Sequence, residues 1–291
     1  MTDVTANPAG AKAPVTPAPT GKTKTAAQRT TNGSQRMDRF NRTTFASLGL
    51  LALVLLAWQY LPPALDVPKY IIPTLTDCLV EMKRMWLYEK LTANTLSTAL
   101  YTVLGFGIGS LLGATLGYLL GMSPFWEKVL SPYILALQIA PKVAFAPLFI
   151  MWFGYNAMPK MLVTVLIVFF PVLVNVLQAM RTVDRDLVNL ARAYNLSRLG
   201  IFWKIEMPST LPNLMAGLRI ASTLAVIGVT VGELVGGNTG LGYLISYGGG
   251  QANAAMVFNA IVLLTVIGFL LYTVLEQVEE RILHYLPKAQ H

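Results

Sequence analysis

Six apolar stretches separated by short polar ones set the pattern of this chain, at roughly residues 45–61, 93–121, 129–153, 158–180, 213–235 and 256–275. An α-helix needs about 20 residues to cross about 30 Å of hydrocarbon. The pattern therefore predicts an all-α fold, a polytopic membrane bundle of about six transmembrane helices. The first stretch closes with Trp58 and Tyr60, side chains suited to a membrane interface, and Pro62 and Pro63 are read as its stop. Residues 74–90 set Leu75, Cys78, Leu79, Met82, Met85 and Trp86 against Asp77, Glu81, Lys83 and Arg84. That spacing predicts an amphipathic helix on the outer surface, either an anchoring connector or a binding surface.

Two patterns mark the interiors of the predicted spans. Gly105, Gly109, Gly113, Gly117 and Gly121 recur at every fourth position of the second span and leave one ridge bare. A bare ridge lets another helix approach closely, which serves helix packing and also suits helices that rock during transport. Pro132, Pro141, Pro147 and Pro171 each remove a backbone donor and bend the third and fourth spans. The carbonyls so freed must face protein or a wet cavity, as in a pathway.

Composition narrows the class further. Apolar residues make up 54% of the 291 positions, charged residues only 12%, and mean hydropathy is +0.55; a soluble domain carries about 25% charged residues. The net charge of +8 does not point to nucleic acid, because the basic residues flank apolar stretches instead of gathering on one face. Cys78 is the sole cysteine, and the two histidines, His284 and His291, lie at the C-terminus, so neither a disulfide nor a zinc cluster is expected. No clustered nucleophile or carboxylate pair suggests an enzyme embedded in the membrane, and no catalytic or metal-binding residue is assigned.

Residues 1–44 carry seven Lys/Arg against two Asp without apolar periodicity, which predicts a disordered basic tail. Residues 45–285 form the transmembrane domain and 286–291 a short C-terminal tail. Within the first tail, Gly21, Lys22 and Thr23 imitate the end of a phosphate-binding loop. Pro17 and Pro19 interrupt the preceding interval and no strand leads into it, so this chain is not expected to hydrolyse ATP.

The Lys/Arg distribution orients the spans. With the N-terminus inside, the tail, Lys128, the loop 181–212 and the C-terminus place 15 Lys/Arg in the cytoplasm. The opposite side receives five, namely Lys69, Lys83, Arg84, Lys90 and Lys160, while Lys142 and Arg219 fall inside apolar stretches. Both termini are then cytoplasmic in a multi-pass protein.

The loop 181–212 holds helix signals of its own. Asp184 and Asp186 suit a helix start and Arg192 its end, so a short helix should run to about Tyr194. Asn195 stands where that helix must stop, and asparagine accepts the left-handed conformation that ends helices. A second short helix from about Ser197 should present Leu199, Ile201, Phe202 and Trp203 until Pro208 breaks it. So many large apolar groups in a loop indicate a protein contact or packing on the bilayer interface.

Here the chain resembles the transmembrane subunits of ATP-binding-cassette importers, in the nitrate, sulfonate and taurine branch of the binding-protein-dependent permeases. Their cytoplasmic signature is Glu-Ala-Ala, three residues, Gly, nine residues, Ile, one residue, Leu-Pro. Asn189, Leu190 and Ala191 occupy its triplet, Asn195 its glycine, Ile205 its isoleucine and Met207-Pro208 its last pair. The spacing holds throughout, with identities at Ala191, Ile205 and Pro208; Asn189 replaces a carboxylate. Similar to that branch as well are the segment from Ile139 to Gly154, the run Gly217-Leu-Arg219, Glu233, and Gly240-Leu-Gly242.

The resemblance implies a bacterial inner-membrane importer subunit that forms the translocation pathway by alternating access, for a small anion such as nitrate, a sulfonate or taurine. It implies two ATPase subunits that bind ATP and Mg, a periplasmic solute-binding protein, and a second permease copy in a homodimer. This chain itself would bind no cofactor, and the lipid bilayer would be its surroundings. Residues 186–208 would couple to the ATPase, through Asp186, Asn189, Leu190, Ala191, Arg192, Ala193, Tyr194, Asn195, Phe202, Ile205 and Pro208. Without such partners the runner-up is a secondary transporter, although the inverted repeats typical of one are absent from the sequence.

Three ions within apolar stretches complete the candidates. Lys142 would suit an anionic substrate in the pathway, or else pairs with Glu233 or a backbone carbonyl. Arg219 and Glu233 are 14 residues apart, about 21 Å along a helix, too far to pair with each other. Arg219 is expected to snorkel to the interface. Glu233 is expected to brace the glycine-rich segment from Gly236 to Gly250, an outer gate or a plain turn, with Gly240 and Gly242 as its gate positions.

Overall fold

The computed structural model describes residues 26–284, with side chains from residue 45. Eleven helices follow one another: α1 (Ala26–Ala64), α2 (Leu75–Tyr88), α3 (Leu91–Gly121), α4 (Pro124–Ile139), α5 (Ala146–Phe153), α6 (Ala157–Arg181), α7 (Arg185–Ala193), α8 (Arg198–Ile201), α9 (Met207–Gly236), α10 (Leu241–Gly250) and α11 (Ala254–Ile282). A 3₁₀ turn, Lys142–Phe145, precedes α5, and a π turn, Phe202–Glu206, joins α8 to α9. No strand occurs among the described residues, so the all-α expectation holds.

The chain divides into residues 1–57 and 58–291. In the first unit α1 is helical from Ala26, where a disordered tail was expected. No proline follows Pro19 in that tail, and a formed span lets a helix extend backwards one hydrogen bond per residue without a new nucleus. Residues 1–25 and 285–291 lie outside the described residues. Phe45, Leu50, Leu53 and Leu56 of α1 are exposed, as a lipid-facing helix requires.

In the second unit, Pro62 and Pro63 fail to stop α1 and sit in its last turn. The end is set by Asp66 at φ 52°, with Val67 N donating to the Pro62 carbonyl at 2.9 Å. Among the described residues of the whole chain, five helices are long and apolar enough to cross a membrane. The predicted third span is a broken one, α4 and the segment Lys142–Phe153 bent by 81°, and taken as one span this pair is the sixth. Pro141 explains the break, since it offers no N–H and forces the preceding Ala140 into extended backbone at ψ 138°.

At the centre α6 is clasped between α3 and α9. The glycine ridge of α3 meets α6 at every fourth residue, Gly105 against Thr164, Gly109 against Val168, Gly113 against Val172, Gly117 against Val176 and Gly121 against Met180. At Gly113 a Cβ would stand 2.5 Å from the Phe169 carbonyl oxygen, so the contact is backbone to backbone. From the other side Gly228 and Gly232 of α9 press on the Cα atoms of Thr164 and Lys160.

A second cluster gathers Met85, Leu91, Leu241, Leu244, Met256 and Leu264 from α2, α3, α10 and α11. Thr74 and Asp77 cap α2 reciprocally, and Lys69 pairs with Asp77 at 2.8 Å. Lys69 and then Thr74 hold the Asp77 carboxyl below the usual carboxylate range. The helix expected at residues 74–90 is present, but it faces differently: Cys78 and Met85 are buried while Leu79 and Trp86 are exposed. Asn259 of α11 turns it, donating to the Cys78 carbonyl at 2.8 Å, and Asn253 donates to Glu81 at 2.8 Å.

Candidate functional site

Glu233, near the end of α9, is wholly buried. Its carboxylate accepts from Thr98 Oγ1 at 2.9 Å, from Gly242 N at 3.0 Å and from Lys160 Nζ at 3.3 Å. Lys160, itself 4% exposed, also donates to Ser97 at 3.2 Å and lies 4.4 Å from the Tyr101 ring centre. Taking two ions out of water costs several kcal/mol for each, and only full hydrogen bonding offsets it. Here that condition is met.

The junction is assembled from one face of α3. Asn94, Ser97, Thr98 and Tyr101 stand at the i, i+3, i+4, i+7 spacing of a helical face. Asn94 accepts from Gly240 N at 2.8 Å and Thr98 accepts from Leu241 N at 2.8 Å. The start of α10 is thus tied to α3 by its backbone and to α9 by the Glu233 carboxylate. Gly240 is at φ 110°, and a Cβ there would stand 2.1 Å from that carboxyl carbon. Only glycine allows so close an approach.

Glu233, Gly240 and Gly242 are therefore brought together, as expected of a brace, whereas Lys142 stands apart. Its ammonium donates to the Gln138 carbonyl at 2.6 Å, at the end of α4, and lies 4.9 Å from the Phe170 ring centre. Of the two partners considered for Lys142, the structure shows the backbone carbonyl. Arg219 pairs with Glu279 of α11 beside Tyr272. Lys160, counted on the outer surface, is interior instead. The missed signal was its place within the apolar stretch 158–180, where an ion is by default buried and paired.

At the other end of α6, about 30 Å from Lys160 at 1.5 Å per residue, the chain emerges into the predicted loop. Asp184 caps α7, accepting from Asp186 N at 2.8 Å. The helix ends as Asn195 predicts: φ is 59°, Leu196 N donates to the Ala191 carbonyl at 3.0 Å, and Asn195 N donates to the Arg192 carbonyl at 2.9 Å. Ala191 is buried, while Asp186, Leu187, Asn189, Leu190, Arg192, Ala193 and Tyr194 are exposed.

The second short helix starts at Ser197, which accepts from Gly200 N at 3.1 Å. Pro208 does not break it. A proline ring must clear the carbonyl four residues earlier, and the wider π turn at 202–206 supplies that room, so α8 continues into α9. Ile205 lies half-buried in the turn. Phe202 and Trp203 pack edge-on at 5.3 Å as a cluster; Phe202 also packs against Tyr118 of α3 at 5.2 Å, while Trp203 stays 57% exposed.

Known proteins agree with this architecture. The family described as binding-protein-dependent transport system inner membrane component matches residues 105–284. The chain is 33% identical to the formylaminopyrimidine transport permease protein ThiX of Halalkalibacterium halodurans, over 81% of this chain and 94% of that one. It is 31% identical to the putative aliphatic sulfonates transport permease protein SsuC of Bacillus subtilis, over 81% and 87%. In fold it is similar to a chain of the MetNI methionine ABC transporter in an inward-facing conformation, with a TM-score of 0.59 at 18% identity, covering 69% of this chain and 98% of that one. The chain belongs to the binding-protein-dependent transport system inner membrane components, the multi-pass transmembrane subunits of ABC importers.

Proposed function

We propose that this chain lines the translocation pathway of an ATP-driven importer that works by alternating access, with α7 as the lever seated on a partner ATPase. The observation that carries this reading is continuity. From Arg198 to Gly236 one helical path leads from the exposed loop to the Glu233 junction. A displacement imposed on α7 reaches α8 through the closed turn at Asn195 and travels along α9 to the segment held by Gly240 and Gly242. Rigid elements joined in this way convert closure of a partner into rocking of a bundle.

ATP and Mg belong on the ATPase in this reading, and a solute-binding protein delivers the cargo. A second copy of the chain completes the pathway. Both termini lie on the cytoplasmic side with α7, which the excess of Lys/Arg there supports; with Lys160 buried, the outer side keeps four of its five assigned cations. The cargo is a small anion, a reading supported by the sulfonate named for one relative. The other relative's name favours a second reading, a formylaminopyrimidine cargo.

The test replaces Leu187 and Leu190, exposed apolar residues of α7, with aspartate. Co-purification of the co-expressed ATPase and ATP-dependent uptake should both be lost while the thermal midpoint of the chain stays unchanged. Retained co-purification would defeat the lever. A panel of sulfonates and pyrimidines offered to the binding protein separates the two cargo readings.

A further inference from the structure

Behind α7 lies a cleft of about 790 Å³ whose walls carry Lys128, Arg181, Arg185, Arg192 and Arg198. Two carboxylates share it, Glu127 and Glu206. Arg181 is taken up by Glu127, and Arg198 by the Met122 carbonyl. The side chains of Lys128, Arg185 and Arg192 make no hydrogen bond or ion pair among the described residues. On α7 the lining residues Arg185, Val188, Asn189 and Arg192 follow the spacing of one helical face, so this charge is a built surface of the helix. Asn189 adds an amide where a carboxylate would have offset part of the surplus.

The depth of the cleft identifies what it meets. Its walls include Gly121, the end of α3, and Arg181, the end of α6, which are the termini of two spans. Beside it the first turn of α4 exposes Phe125 and Trp126, and a tryptophan settles at the headgroup level of a bilayer. Unpaired arginines at that level match the forked geometry of a phosphate, and basic residues next to a span attract anionic lipid.

We infer that this cleft is a binding site for the phosphodiester headgroup of an anionic phospholipid, held by Lys128, Arg185 and Arg192 behind the proposed lever. The inference rests on the membrane placement of the chain and not on ATP coupling, so the two fail separately. A lipid seated there would set the resting position of α7.

The experiment reconstitutes the full chain in nanodiscs of equal parts phosphatidylglycerol and phosphatidylcholine, then measures by native mass spectrometry the lipid that stays bound. Phosphatidylglycerol should be retained over phosphatidylcholine. The triple variant Lys128→Gln, Arg185→Gln, Arg192→Gln should reduce that retention at least about tenfold. Lys83→Gln, on the exposed face of α2, should leave it unchanged, and circular dichroism confirms that each variant is folded. Equal retention of both lipids, or retention insensitive to the triple variant, overturns the proposal. Displacement of the lipid by millimolar inorganic phosphate would make it a soluble-anion site, and displacement by the ATPase would make it a protein contact; either result also overturns it.

Discussion

The two ends of α6 and α9 solve opposite problems. At the Glu233 end the ions and the polar side chains around them find partners inside the chain, and Lys160, Glu233 and Thr98 lose contact with solvent almost entirely. At the α7 end Leu187, Leu190 and Tyr194 are exposed, and the side chains of Lys128, Arg185 and Arg192 in the cleft lack partners among the described residues. A closed network holds one arrangement because any displacement leaves a buried charge unpaired. An open surface costs little to displace and waits for partners. The contrast separates a closed junction from an open surface at the two ends of the same bundle.

Breaking the closed junction should produce the largest effect. Glu233→Leu leaves Lys160 buried without its carboxylate and should cost about 3–5 kcal/mol, read as lost folded protein in detergent denaturation. Adding Lys160→Met should restore much of that stability. If the double variant is no better than the single one, the pair is not what holds the junction.

A smaller loss is expected at the same end from Gly240→Ala, which combines φ 110° with a Cβ inside the Glu233 carboxyl. A non-glycine residue in that region costs about 1–3 kcal/mol, and the collision adds to it. The expected readout is a lower unfolding midpoint together with faster hydrogen exchange at the start of α10. Unchanged exchange there would mean that α10 is not held by this junction.

The open end should respond least. Asn195→Ala places alanine at φ 59° and should cost about 1–2 kcal/mol, whereas Asn195→Gly should be neutral or slightly stabilising in thermal unfolding. A loss for glycine equal to that for alanine would show that the asparagine side chain, not its backbone conformation, closes the turn.

Local properties were legible in the sequence. Hydropathy over windows of about 20 residues placed the spans, the four-residue period exposed the packing ridge of α3, and the left-handed preference of asparagine placed the end of α7. Each depends on residues that are near one another in the chain. Pro208 marks where local reading went astray: the same ring that bends the chain at Pro141, as expected, passed through a π turn at Pro208. Backbone neighbours, not the proline itself, settled which.

Partnership was decided only by the tertiary structure. Glu233 meets Thr98 across 135 positions and Lys160 across 73, and Arg219 meets Glu279 across 60. The sequence determined that an ion within an apolar helix must be paired, because leaving it alone in a medium of low dielectric is too costly. It did not determine with which ion. That choice follows from how far glycine lets α3, α6 and α9 approach, which sets the depth at which their side chains face one another.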